Sequence, residues 1–307
     1  MWCTAHRMVL AILGLVFASA TQACNRQESQ PTHDKPFWRA IAANKYQIPP
    51  NEKPFALAQE LSSYLGSPDP ELRDDLSYSI LTVWIVNQQQ FSQEDLIELY
   101  ERWTANLHTR LGESGTDSVL ARSFSALCLS SLAERERKTP FLGEARYRAL
   151  LASALEYLRS EKDLRGFDPV KSWIHATAHT ADLLAALAAH PLFRKQDQAV
   201  VLHAITQRLA TAQEVFLYGE QDRLANVVAV IVSRADFDLD GFQSWLADLD
   251  AKDQTVWKDL PPKLQPLTRF QNDSYMLRAV VPQILERPST AASLTAQQAL
   301  LKSLQRR

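Results

Sequence analysis

Glycine is scarce in this sequence, with 8 glycines among 307 residues. Phosphate-binding loops, dinucleotide-binding turns and tight β-hairpins depend on glycine, because their backbones adopt positive φ angles or approach a ligand closely. The charges nearly cancel, since 33 Lys and Arg residues face 35 Asp and Glu residues, and no basic excess is available to bind nucleic acid. The composition argues against nucleotide-binding α/β folds and nucleic-acid partners, and it favours an all-α protein.

Residues 1–23 have the pattern of an export signal. A short basic start, His6 and Arg7, precedes an apolar run over residues 8–17, and small residues follow. Two cleavage sites fit this pattern. Cleavage after Ala20 obeys the rule of small residues at alternate positions, whereas cleavage before Cys24 resembles that of bacterial lipoproteins, whose new N-terminal cysteine is acylated.

The lipoprotein interpretation is favoured because a polar tether follows, over residues 24–35, with no aliphatic or aromatic residue after Cys24. We therefore expect an exported protein anchored by a lipid on Cys24 to a membrane surface, at the outer membrane or in the periplasm. A soluble secreted form is the alternative. Cys128 lies in a helical apolar pattern and is expected to be inert core.

Beyond the tether, residues 36–307 show almost continuous helical periodicity and are expected to form a single all-helical repeat domain without a β-sheet. Prolines and short polar stretches separate the helical segments. The predicted helices cover residues 37–44, 54–64, 71–87, 92–111, 117–138, 143–162, 168–190, 195–212, 219–234, 239–250, 267–281 and 294–305.

A weak repeat links four of these helices. Their starts at Glu71, Asp117, Asp168 and Gly219 lie 46, 51 and 51 residues apart, and each opens with charged residues beside apolar ones. Helix pairs repeating at about 40–50 residues are typical of HEAT-like α-solenoids. The repeat predicts a right-handed α-solenoid of stacked antiparallel helix pairs, with the polar helix starts lining one concave groove.

The strongest candidate for chemistry is the stripe of His175, His179 and Asp182. On a helix these side chains fall within about 60° of one another, and the remaining faces are apolar. Three interpretations stay open. The stripe is a buried hydrogen-bonded network, a Zn or Fe site, or an acid–base pair of a hydrolase. No resident cofactor is predicted, with Zn or Fe as the alternative.

Other polar residues near the helix starts complete the candidate groove. Arg122 either contacts an anionic or polar ligand or lies buried against a carboxylate. The acid–base doublets at residues 73–74 and 222–223 are expected to form interior salt links rather than ligand contacts. The remaining groove candidates are Asp117, Asp163, Arg165, Lys171, Arg73, Asp74, Asp222 and Arg223.

Several of these stretches resemble a bacterial family called domain of unknown function 2785. They include Asp69-Pro-Glu-Leu-Arg-Asp74, Arg122-Ser-Phe-Ser-Ala-Leu127, Glu161-Lys-Asp-Leu-Arg-Gly-Phe167 and Lys171-Ser-Trp-Ile-His-Ala-Thr-Ala-His-Thr-Ala-Asp182. The similarity runs from about residue 37 to about residue 250. It implies an all-helical fold and supplies no activity. One departure is Ser172, where the family pattern has glycine.

The sequence favours a non-catalytic binding or scaffolding module, because solenoids create extended grooves without needing a reaction centre. Its partner would be an unidentified protein or a polar small molecule. The alternative is a hydrolase or metal-binding enzyme centred on His175, His179 and Asp182.

Overall fold

Apolar residues at three- and four-residue spacing form helices along most of the chain. The computed structural model describes residues 32–307, and the predicted signal sequence, Cys24 and most of the tether lie outside them. The described helices are α1 (Lys35–Ala43), α2 (Pro54–Tyr64), α3 (the consecutive segments Glu71–Tyr78, Ser79–Thr82 and Val83–Asn87), α4 (Gln93–His108), α5 (Ser118–Lys138), α6 (Gly143–Ser160), α7 (Ala176–Ala188), α8 (Lys195–Thr211), α9 (Glu220–Val232), α10 (Leu239–Asp253), α11 (Leu264–Leu285) and α12 (Ala291–Leu304).

The helices pack in two rows. In the first row α3, α5, α7, α9 and α11 contact one another in that order, and in the second row α4, α6, α8, α10 and α12 do the same. Consecutive helices such as α4 and α5, or α6 and α7, join the rows, and their facing sides share one continuous apolar core. The predicted all-α class is confirmed. No helix among residues 32–307 is long and apolar enough to cross a membrane.

The described part of the tether contacts the helical domain. The hydroxyl of Thr32 and the backbone amide of His33 donate to the buried carboxylate of Glu60 on α2, at 2.8 and 2.7 Å. The ring of His33 stacks on Phe37 of α1. These contacts hold residues 32 and 33 against the first two helices.

The largest difference from the predicted elements is the start of α7. Sequence spacing placed a helix over residues 168–190, yet Phe167–Asp168 (β1) and Ser172–Trp173 (β2) form a small antiparallel hairpin. The Asp168 side chain accepts hydrogen bonds from the amides of Val170 and Lys171, which makes a turn rather than a first helical turn. The expectation of no β-sheet is therefore wrong at this one place in the described chain.

A second difference concerns α11. Pro282 was expected to end that helix at residue 281, but the helix continues to Leu285 with Pro282 inside it. Proline removes one backbone donor, and the amide of Glu286 still bonds to the Pro282 carbonyl at 3.2 Å. The loss of one hydrogen bond near the helix end is tolerated because Ile284 remains buried in the core.

Ser172 adopts a backbone conformation that favours glycine. Its φ is +62°, in the left-handed region where a Cβ atom is crowded. We expect Ser172→Gly to raise the free energy of unfolding by about 0.5–1 kcal/mol in urea denaturation, because released strain outweighs the extra chain entropy of glycine. Ser172→Ala is the matched control and should leave stability unchanged. A loss of stability in Ser172→Gly would contradict this interpretation of the hairpin.

Candidate functional site

The candidate residues converge on the connection between α6 and α7. We call residues 161–175 the hub segment. It contains the β-hairpin and contacts α3, the turn that precedes α5, and residues 212–220 before α9. Three polar clusters hold it in place.

The first cluster is a buried ion pair between α5 and the hub segment. Arg122 is fully buried, and its Nε lies 2.6 Å from Oε2 of Glu161. The same guanidinium donates to the backbone carbonyls of Thr109 and Arg110 at 3.2 and 3.1 Å. Arg122 therefore lies buried against a carboxylate, which is the second of its two predicted roles. The partner is Glu161, which was not among the predicted groove residues.

The second cluster fixes the hub segment to the turn before α5. Asp163 is buried and accepts a hydrogen bond from the backbone amide of Gly115 at 2.9 Å. Arg165 lies 2.6 Å from the same carboxylate. Lys171 forms an ion pair with Asp117 at 2.5 Å. Four predicted groove residues therefore form contacts between two loops.

The third cluster centres on Arg73 of α3. Its buried guanidinium donates to the backbone carbonyls of Lys171 and Trp173, at 2.7 and 3.1 Å, and lies 4.7 Å from the ring centre of Phe124. Asp74 lies 2.6 Å from its Nε. Burial raises the pKa of Asp74 to about 6, although the guanidinium opposes this shift. Arg73 thus supports the β2 strand from a helix about a hundred positions earlier.

The two histidines are buried and bonded to protein atoms. The Ser123 hydroxyl donates its proton to the Ile174 carbonyl at 2.5 Å, so the Nδ1–H of His179 donates to Ser123 at 2.9 Å. The Nε2–H of His175 donates to the Tyr218 carbonyl at 3.0 Å. Burial lowers the pKa of His175 to about 4 and that of His179 well below its usual value, so both rings are neutral at neutral pH.

Asp182 does not join the histidines. Its carboxylate forms an ion pair with Arg223 of α9 at 2.5 Å. Asp222 is exposed, and its backbone carbonyl accepts a hydrogen bond from Gln283. Among residues 32–307 no three His, Cys, Asp or Glu side chains are grouped so that they could hold a metal ion. Asp182 does lie on α7, but its partner, Arg223, was not predicted from the sequence.

The Ser123–His179 pair is poorly placed to act as a nucleophile and base. Ser123 has no exposed surface, and its hydroxyl proton is already donated to a carbonyl. A substrate carbonyl would have to reach an atom that lies between two packed helices. The pair instead joins α5 to the start of α7, and the geometry gives it a structural role.

A pocket that the sequence did not predict lies beside these clusters. A cavity of about 470 Å³ lies between the hub segment and residues 212–220, and we call it the loop pocket. Three aromatic side chains, which we call the aromatic rim, are partly exposed next to it: Phe167 (39%), Trp173 (40%) and Tyr218 (46%). Their rings contact one another through Phe167, at centroid distances of 4.9 and 6.0 Å. The scarce glycines could have identified this region, since Gly166 and Gly219 each adjoin a rim residue.

Comparison with known protein families gives a match over most of the helices from α5 onward. A family model described as a protein of unknown function, DUF2785, matches residues 107–281, which is more than half of the chain. This chain belongs to the DUF2785 family. No curated protein and no solved structure matches it.

The family match covers the loop pocket and the hub segment, whereas Arg73 and Asp74 of α3 precede it. Residues 107–281 include α5 to α9, the hub segment and residues 212–220. The resemblance inferred from the sequence is confirmed, although the match begins later and ends later than the stretch of about 37–250. The DUF2785 description carries no activity, so the function of the site has to be argued from its geometry.

Truncation of His179 tests its structural role in this DUF2785 protein. We expect His179→Ala to lower the free energy of unfolding by about 1–3 kcal/mol, because Ser123 loses its donor in a packed interior. His203→Ala, at an exposed position of α8, is the matched control and should have no effect. Denaturant unfolding at neutral pH measures both. Unchanged stability in His179→Ala would show that the histidine is not a structural group.

The lowered pKa of His175 predicts a dependence of stability on pH. Between about pH 6.5 and pH 4 the unfolded chain binds a proton at this residue and the folded chain does not. The contribution of neutral His175 to the free energy of unfolding is therefore complete above about pH 6.5 and is lost as the pH falls towards about 4. As the pH falls across this window, the free energy of unfolding of the wild type should decrease, relative to that of His175→Gln, by about 1 kcal/mol per pH unit. A stability difference that stays constant with pH would contradict the assignment.

Proposed function

We propose that this protein is a non-catalytic binding protein that holds a small ligand in the loop pocket. The observation that supports this most strongly is the pocket itself, a cavity of about 470 Å³ bordered by partly exposed aromatic residues. Cavities of about 300–1,000 Å³ are the usual size for small-molecule sites. Neighbouring aromatic side chains that remain exposed are a common sign of a binding surface.

The polar clusters support binding rather than catalysis. Arg122, His179 and Asp163 each have protein partners and little accessible surface, so they hold the hub segment in one conformation. A binding pocket formed by loops needs such support, because ordering a loop at the moment of binding weakens affinity.

We further propose that the two rows of helices form a right-handed α-solenoid, with the loop pocket at one edge of the first row. The ordered contacts within each row are what a stack of helix pairs requires. In this arrangement the connections between successive pairs lie side by side. The hub segment and residues 212–220 are two such neighbouring connections.

For location we propose export and lipid anchoring through Cys24, at the outer membrane or facing the periplasm, with a soluble secreted form as the alternative. The signal-like residues 1–23 and the polar stretch after Cys24 support this. Mass spectrometry of the mature N-terminus tests it. An acylated Cys24 is the expected result, and an unmodified N-terminus at Thr21 would contradict anchoring.

Ligand binding is tested by thermal shift against a panel of amino acids, sugars, nucleotides, polyamines and short peptides. Ser114→Trp places a large side chain in the loop pocket from an exposed position. Ser289→Trp is the matched control, on the exposed connection between α11 and α12. At least one compound should raise the melting temperature of the wild type and of Ser289→Trp but not that of Ser114→Trp. Equal shifts in all three proteins would contradict binding in the loop pocket.

A further inference from the structure

We propose that the ligand of the loop pocket carries an organic ammonium group, which Glu220 binds electrostatically beside the aromatic rim. This inference rests on the proposed function, since it names the chemical class of ligand for the same pocket. It is carried by a buried carboxylate in the pocket wall that has no cationic partner, together with the aromatic side chains next to it.

Glu220 begins α9 and lines the loop pocket while only 2% of its surface is exposed. Its Oε2 accepts a hydrogen bond from the backbone amide of Tyr218 at 3.0 Å. Within residues 32–307, the carboxylate has no hydrogen bond from a side chain and no ion pair with Lys, Arg or His. Burial raises its pKa, because a desolvated carboxylate without a counterion is destabilised in its charged form.

The other charged residues of the loop pocket do not compensate Glu220. Asp163 and Arg165 form an ion pair with each other at 2.6 Å. Lys162 and Glu214 are exposed at the pocket edge and carry opposite charges. The lining of the loop pocket therefore has one negative charge in excess. Of its charged residues without an ion pair, Glu220 is the most buried.

The position of Glu220 is fixed by a close approach to Gly166. A Cβ atom added at residue 166 would lie 2.4 Å from Oε1 of Glu220 and 2.5 Å from Cδ2 of Tyr218. Only glycine leaves room for the carboxylate and the tyrosine to lie against this backbone. Gly166 in turn accepts the amide of Ile174 at 2.9 Å, so the hub segment carries the wall of the pocket.

The aromatic rim provides the second element of a cation site. Phe167 and Tyr218 both line the loop pocket, and Trp173 packs edge-on against Phe167. The face of an aromatic ring attracts a cation by about 0.5–2 kcal/mol, and more when the cation is desolvated. A carboxylate beside several aromatic rings is a combination that recognises alkylated ammonium groups, and its negative charge repels anions.

Isothermal titration calorimetry at about pH 8 tests this proposal with choline and spermidine as probes. The neutral carbon analogue of choline, in which a quaternary carbon replaces the nitrogen, is the matched control ligand. We expect choline or spermidine to bind the wild type at least about tenfold more tightly than the neutral analogue. Glu220→Gln should lose at least about tenfold in affinity, whereas Glu214→Gln at the exposed edge should retain it.

Two further variants keep the test independent of folding. Phe167→Leu and Tyr218→Leu change exposed side chains and should weaken cation binding severalfold while circular dichroism and melting temperature stay unchanged. Absence of binding by both cations would overturn the proposal. Equal affinity for choline and its neutral analogue, or full affinity in a folded Glu220→Gln, would do the same.

The same measurements separate this proposal from the proposed function. If a neutral or anionic compound binds the wild type and is excluded by Ser114→Trp, the loop pocket is a binding site and only the cation assignment is wrong. If no compound distinguishes Ser114→Trp from the wild type, the binding function itself is wrong.

Discussion

Replacing Glu161 with alanine is expected to lower the free energy of unfolding by about 3–5 kcal/mol. The variant leaves the guanidinium of Arg122 in a fully buried position without its carboxylate. It also removes the acceptor for two backbone amides of the hub segment. The cost of an unpaired buried charge exceeds what the pair itself contributes, since burying both ions also carries a desolvation penalty.

The exposed ion pair of Glu144 and Arg194 provides the matched control. Both of its side chains are about half exposed, so Glu144→Ala should change stability by less than about 1 kcal/mol. The double variant Glu161→Leu with Arg122→Met should be more stable than Glu161→Ala, because no charge remains buried. Denaturant unfolding measures all four proteins. A loss in Glu161→Ala no larger than that in Glu144→Ala would contradict the interpretation of this pair.

Asp273→Asn is expected to raise the free energy of unfolding by several kcal/mol, on the order of 3–5, at about pH 9. Asp273 of α11 is fully buried, and neither carboxylate oxygen has a hydrogen-bond partner among the described residues. Burial, reinforced by the nearby charge of Asp253, raises its pKa to about 8. The folded-state pKa of Asp273 exceeds its unfolded value. The contribution of the protonated carboxyl group to the free energy of unfolding is therefore complete at low pH and is lost as pH rises through about 8.

The pH dependence distinguishes this effect from a general gain in stability. Asparagine does not ionise, so the advantage of Asp273→Asn should shrink as pH falls towards about 4. Asp248→Asn, on the exposed face of α10, is the matched control and should show no such trend. Unfolding in urea at several pH values measures both. A destabilised Asp273→Asn at about pH 9 would show that the carboxylate is needed in its charged form.

The sequence predicted most helices because local features decide them. Apolar spacing and the turn residues between segments determine α2, α6 and α9 to within a few residues. The hub segment could not be predicted in this way. Its hairpin depends on positive φ angles at Ser172 and His175, and on backbone contacts with a distant arginine.

Within the candidate site, only the relation between residues on the same helix could be predicted from the sequence. Periodicity placed His179 and Asp182 on one helix, whereas His175 precedes α7 in a left-handed backbone conformation. Their partners come from other helices and loops, so no local pattern could show that Asp182 pairs with Arg223 rather than with a histidine. The loop pocket was missed for the same reason, since its walls come from two connections without periodicity.

The central claim is that the loop pocket is where this protein binds its ligand. A crystallographic fragment screen of residues 32–307 tests it most directly, because it locates binding without a prior choice of ligand. We predict that bound fragments cluster in the loop pocket, in contact with Phe167 and Tyr218, with amine-bearing fragments nearest Glu220. Fragments gathered elsewhere on the first row of helices, with the loop pocket left empty, would contradict the claim.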